Sequence, residues 1–217
     1  EGIFILEDPS LLEVIKNTSY DQFYDEHAYV FSVLAINNLL KETELKIFDI
    51  EKLTTHGGSN RIFIKKIRSN KKVTDNVSKM INEELSVGMD KFETYQKFAQ
   101  NVINSKNEKK KIFIELKKNN TKIIGYGATY KSSTILNYCG LDTKFIDYFT
   151  DTTETKQGKF TPGTHIPILK PTDGINSEVN YVFLGAWNFK KEIFNKEKKF
   201  IERGGKFISH VPFPQII

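Results

Sequence analysis

Cysteine is almost missing from this chain. Cys139 stands alone among 217 residues, which excludes an internal disulfide and a thiolate-rich zinc site built from this chain. Apolar residues never run unbroken for the ~18 positions that a membrane-spanning helix needs, and no signal-peptide pattern is present. The expectation is a cytoplasmic protein with no membrane partner. A strong excess of one sign of charge is also absent: 32 basic against 27 acidic residues give a net charge of +5. The lysine-rich runs 65–72 and 106–118 supply most of that excess and read as solvated faces. No nucleic-acid-reading motif accompanies them, so no nucleic-acid partner is expected. With 39% hydrophobic and 27% charged residues the chain can bury a core, and its length suits two small domains. No repeat of solenoid period is visible.

The richest segment runs from Lys122 to Cys139, KIIGYGATYKSSTILNYC. A β-branched pair meets Gly125 and Gly127, and an apolar-periodic stretch follows in which Ile135, Leu136 and Cys139 share a helical face, so Cys139 reads as a small buried hydrophobe. This is a strand, a tight turn and a helix start, a geometry that aims backbone N–H groups and a helix dipole at an anion. Lys131, Ser132, Ser133 and Thr134 stand where they would add a charge and hydroxyls. One glycine is lacking. Tyr130 takes the last glycine position of both the dinucleotide fingerprint and the P-loop. A glycine turn that merely joins strand to helix is the plainer alternative.

Along the chain, residues 2–7 (GIFILE) form a buried-strand pattern that starts at once, so the sequence reads as a fragment or a processed piece. Leu11 to Ile15 read as a short helix, Phe31 to Leu40 as an amphipathic one, and Leu45 to Leu53 and Ile62 to Lys66 as strands turned by Gly57-Gly58. From Val73 the apolar spacing is helical, a helical hairpin leading into Ile112 to Leu116. Beyond Lys122, strands at 123–125, 144–149 and 181–184 alternate with helices at 133–138 and 190–203, and a last strand covers 206–209. That alternation predicts a parallel α/β sheet.

Tyr24-Asp25-Glu26-His27 gathers an imidazole, carboxylates and a phenol, the groups that proton abstraction uses. A surface polar cluster is the alternative. His56 precedes Gly57-Gly58 and either faces a cleft or caps the turn. His165 lies in a Pro-Gly-Thr-His-Ile-Pro loop near the carboxyl ends of the C-terminal strands, where open α/β sheets bind ligands.

The series YDEH (24–27), THGGS (55–59), GYGATYK (125–131) with LNYCG (136–140), QGKFTPGTHIP (157–167) and AWNF (186–189) resembles S-adenosylmethionine-dependent C-methyltransferases that act on nucleotide-linked keto-deoxysugars. The resemblance spans nearly the whole chain. It implies a three-part enzyme: a cysteine-ligated zinc region, a class I methyltransferase domain, and a Rossmann-like domain, with the sugar nucleotide in the cleft between the last two. Residues 1–70 are then the last three strands and helices of the methyltransferase sheet, 71–118 a helical linker, and 119–217 a Rossmann-like parallel α/β domain. The main S-adenosylmethionine loop and the zinc cysteines fall outside this chain, so the chain alone is expected to be inactive and to hold no metal. The resemblance makes His27 the base that removes the C3 proton of a 4-keto sugar, with Glu26 orienting it and Tyr24 bonding the sugar or its enolate. It places the nucleotide-diphosphate sugar on His56, Gly125, Tyr126, Gly127, Thr129, Lys131, Ser132 and His165. Two further expectations follow. The exposed edge at Ile3 to Leu6 invites self-association. The competing reading is an autonomous Rossmann-like nucleotide-binding or NAD-dependent module, in which Asp147 or Asp151 holds a ribose.

Overall fold

The computed structural model describes residues 2–27 and 29–217. It divides into two compact units, residues 1–22 with 27–100, and residues 23–26 with 101–217.

In the first unit the strand β1 (Ile3–Pro9) is followed by the helices α1 (Leu11–Asn17) and α2 (Val33–Leu40), the hairpin of β2 (Leu45–Leu53) and β3 (Ser59–Lys66), and the helix α3 (Asp75–Ser86). The last strand lies in the middle: the sheet order is β1-β3-β2, antiparallel throughout. Leu12, Val33, Ile36, Ile47, Ile50, Ile62, Ile64, Val77, Met80 and Met89 form its core. The pattern of β1 leads one to expect a buried strand. Instead Ile3, Phe4 and Ile5 are 42%, 57% and 53% exposed, because β1 pairs on one side only, with β3.

The helical stretch expected from Val73 is carried by α3 and, after the turn at 87–91, by a second helix α4 (Phe92–Lys118), which runs on without a break through Ile112 to Leu116. Its basic run is not wholly solvated. Lys109 is fully buried, 3.4 Å from Ser105 Oγ and 3.8 Å from Cys139 Sγ, and in the first unit Lys65 is buried and donates to the carbonyls of Ser69 and Lys71. Snorkelling stems let such lysines line a core while the ammonium finds acceptors, which corrects the reading of both runs as solvated faces.

The second unit holds β4 (Ile123–Tyr126), α5 (Tyr130–Cys139), β5 (Phe149–Thr150), β6 (Ile168–Leu169), β7 (Tyr181–Leu184), the helices α6 (Lys190–Lys196) and α7 (Lys198–Glu202), β8 (Lys206–Ser209) and β9 (Gln215–Ile216). The sheet order is β6-β5-β4-β7-β8-β9, parallel except for β9, so the fold is α/β as expected. The strand read over 144–149 shrinks to Phe149–Thr150. Asp142 makes a turn there: its carbonyl accepts from Phe145 and Ile146 and its carboxylate from the Lys144 N–H. The helix read over 190–203 breaks at Glu197, whose carboxylate accepts from Tyr126. The short strands β6 and β9 carry too few residues for an alternation to register. Ile123, Ile124, Phe149, Val182, Phe183, Leu184 and Ile208 are fully buried, and so is Cys139, as its helix face predicted.

Candidate functional site

Strand order reverses between β4 and β7, and in open parallel sheets the crevice at the carboxyl ends there is the place for a ligand. A cavity of about 370 Å³ occupies it, lined among others by Tyr126, Thr129, Asp151, Lys156, Phe189 and Lys196. A larger cavity, about 490 Å³, lies at the opposite end of the sheet, by Asn119, Asn180 and Lys206. Ligands of open parallel sheets bind at the carboxyl ends of the strands, so the first is the candidate site.

Two glycines shape the turn beside it. A side-chain carbon on Gly125 would lie 2.3 Å from the Phe149 ring, and one on Gly127, at φ 83°, would lie 2.8 Å from Ala186 Cβ. Both positions need glycine for packing alone. Four of the turn's donors are already engaged. Gly127 N–H donates to the Thr150 carbonyl, Ala128 N–H to Asp151 at 2.8 Å, and Thr129 N–H to Ser132 Oγ at 2.7 Å, while Ser132 N–H donates to Thr129 Oγ1. Thr129 and Ser132 thus form a capping box on α5. Asp151 acts as a resident anion, accepting also from Thr153 N–H at 2.8 Å, with Lys156 Nζ 3.4 Å away. Asp147, the other candidate ribose holder, accepts from Lys117 and from Ile123 N–H. Of the two carboxylates of the NAD reading, Asp151 is buried with both oxygens engaged in the fold, while Asp147 takes part through one oxygen. Burial and the Glu197 bond push the Tyr126 phenol far above its ordinary pKa, so it remains a hydroxyl.

Of the predicted substrate residues, Tyr126, Gly127 and Thr129 line this cavity, whereas Gly125, Lys131, Ser132 and His165 do not. Lys131 is buried with its ammonium 5.2 Å from the centre of the Trp187 ring. His165 is exposed at φ 55° in the loop closed by the Phe160–Pro167 bridge. Lys156 and Lys196 escaped the sequence reading, since neither sits in a recognisable motif. So did His210, a buried histidine directly after β8, 5.7 Å ring to ring from Phe183. Its place after a parallel strand was the available signal.

A second cluster belongs to the first unit. Antiparallel pairing sets the end of β1 against the start of β3, so Asp8 meets the turn of residues 54–58. His27 Nδ1 lies 3.6 Å from Asp8 Oδ1, and the His56 ring stands edge-on to His27 at 6.1 Å. Gln22 donates to the His56 carbonyl and holds the turn, in which His56 adopts φ 56°. The Asp8 carboxyl is pushed up by burial, an effect that His27 beside it partly offsets. Its Oδ2 is buried without a hydrogen-bond partner among the described residues. Asp8, a residue that only the strand register brings here, is the carboxylate the fold sets beside His27; Glu26 is exposed. Tyr24 belongs to the second unit and stacks on Tyr130.

A methyl-donor cofactor needs an open turn between a strand and a helix. The β4–α5 turn is filled by Asp151. At the β1–α1 turn Ser10 N–H donates to the Gly58 carbonyl and Leu11 N–H to that of Phe31. Neither fits the group. Among the described residues no cluster of His, Cys, Asp and Glu would hold a metal, and no helix is long and apolar enough to cross a membrane.

Comparison with known proteins matches residues 54–212 to the model of the C-methyltransferase C-terminal domain. The C-methyltransferase NovU of Streptomyces niveus is 34% identical over 217 residues, which is 100% of this chain and 52% of NovU. The chain thus spans about half the length of that relative. Over most of its residues it matches this one domain, and it belongs to the C-methyltransferase family.

Proposed function

We propose that the protein contributes the C-terminal part of an S-adenosylmethionine-dependent C-methyltransferase acting on a nucleotide-linked 4-keto-deoxysugar. The observation that carries the reading is the His27–Asp8 pair. A carboxylate on Nδ1 favours the tautomer with its proton there and its basic lone pair on Nε2. Nε2 takes the proton from C3 of the sugar. The C3–H electron pair becomes the C3–C4 double bond of an enolate, and the charge moves to the C4 oxygen, where Tyr24 is the proposed donor. Asp8 steadies the imidazolium so formed. The cofactor, when bound, supplies the electrophilic methyl group, and its site is assigned to the part of the enzyme this chain does not span. The cavity of the second unit supports a nucleotide site: Phe189 and Tyr126 offer aromatic faces, and Lys156 and Lys196 offer cations.

The test is solvent deuterium exchange at C3, followed by NMR in the full-length enzyme without cofactor. His27→Asn should slow exchange about 10²- to 10⁴-fold, the usual contribution of general-base catalysis, with substrate affinity nearly unchanged. Exchange at the wild-type rate would rule His27 out and move the role to Tyr24 or His56.

A further inference from the structure

Tyr130 spoils both glycine motifs, and nothing in the capping of α5 calls for it. It is the first residue of the helix, where the cap is made by Thr129 and Ser132. Nor does the core claim it, for it is 58% exposed. Its ring instead lies parallel to that of Tyr24, with centroids 5.6 Å apart and planes at 8°, an offset-stacking separation. Thr134, one turn further along the same face, places its Oγ1 3.3 Å from the Phe23 carbonyl. Residues 23–26 therefore join the second unit through two neighbouring positions of one helix face, a ring and a hydroxyl.

We infer that Tyr130 is a positioning residue for Tyr24. It holds the phenol-bearing segment on α5 by ring stacking, and its own hydroxyl is not required. A phenol that must meet a developing oxyanion gains from having its ring fixed beforehand, since only pre-oriented donors stabilise charge without reorganisation. Glycine, which both nucleotide motifs ask for, would leave Tyr24 without this support. The role of Tyr24 at the enolate rests on the function proposed above; its placement by Tyr130 does not.

Amide hydrogen exchange of the 217-residue chain tests the placement directly. Tyr130→Ala should speed exchange of the peptide covering residues 23–27 about 2- to 10-fold, the range one aromatic pair supports, while the protection of α5 stays unchanged. Tyr130→Phe should match the wild type. Unchanged exchange in Tyr130→Ala, or equal acceleration in both variants, would overturn the inference. In the full-length enzyme, C3 exchange should fall in Tyr130→Ala and recover in Tyr130→Phe. Should Tyr24→Phe keep the wild-type rate of C3 exchange, the catalytic reading of Tyr24 fails, while the hydrogen-exchange result still decides on its placement.

Discussion

Two helices of this molecule begin at turns whose N–H groups face an oxygen of the chain itself, and they solve the problem differently. In the first unit, Ser32 caps α2 through Ala35 N–H, and Glu84 of α3, fully buried, accepts from Val33 N–H at 2.8 Å and Leu34 N–H at 2.7 Å. In the second unit, α5 is capped by its own hydroxyls, and the carboxylate Asp151 sits just before the helix with Lys156 beside it, at the edge of a cavity. The first arrangement is sealed and ties two helices together. The second leaves a partly exposed cation where a ligand would arrive, which is why the second turn is the functional candidate.

Removing the sealed carboxylate should cost most. Glu84→Ala leaves two donors without partners, at about 1–3 kcal/mol for each buried one, and Glu84→Gln, which keeps one carbonyl oxygen, should recover part of that loss. Burial holds the Glu84 carboxyl above its ordinary value, against the pull of the two N–H groups. The folded state therefore binds this proton more tightly than the unfolded chain. Glu84's contribution to stability falls as pH rises from the ordinary carboxylate value through the raised one, and the cost stays in place above it. Urea melts should accordingly show wild type gaining on Glu84→Gln as pH drops from neutrality toward the ordinary carboxylate value. A gap that moves the other way would mean that the N–H bonds outweigh burial.

The hydroxyl cap of α5 should matter less. Thr129→Ala removes the acceptor for Ser132 N–H and should lower stability by about 1 kcal/mol, with the loss concentrated in the hydrogen-exchange protection of residues 130–134. A loss as large as that of Glu84→Ala would erase the distinction between the two turns.

How legible all this was in the sequence depends on distance along the chain. Strands β2, β7 and β8 could be read to the residue, because alternation and turn glycines are local signals. The glycine turn was readable too, and the helix after it in place though not in extent, since it was read over 133–138 and spans Tyr130–Cys139. The oxygens that fill the turn's donors were less so. Asp151 reaches Ala128 only through the parallel pairing of β4 with β5, and Glu84 reaches α2 only through tertiary packing. For the same reason Asp8 went unseen beside His27, since its place follows from the β1–β3 register. The unpaired edge of β1 was anticipated, but the solvent exposure of the Ile3, Phe4 and Ile5 side chains was not, because an apolar pattern records what a strand is suited to lie against, and not which neighbours it has.

The smallest effect on stability should come with the clearest effect on binding. Lys156 donates to the Ala128 carbonyl at 2.9 Å, and its side chain is 37% exposed. Its 3.4 Å pair with Asp151 is open to solvent on the lysine side, and such pairs contribute about 0–1 kcal/mol to stability, so Lys156→Met should melt within that margin of the wild type. As a ligand group, however, it is one of two ammoniums on the cavity wall, and a charge-assisted bond to a phosphate oxygen is roughly twice as strong as a neutral one. Titration calorimetry of the 217-residue chain with a nucleoside diphosphate should show binding weakened about tenfold in Lys156→Met, consistent with losing one bond to a charged group. Asp151 complicates this, because removing its neighbouring cation leaves the carboxylate to repel the ligand. Lys156→Arg separates the two effects, since it keeps the charge beside Asp151 while changing the donor geometry. Intermediate affinity in Lys156→Arg supports direct contact with the diphosphate. If Lys156→Met binds as tightly as the wild type, the diphosphate lies elsewhere, and the turn of the second unit is as structural as the sealed one of the first.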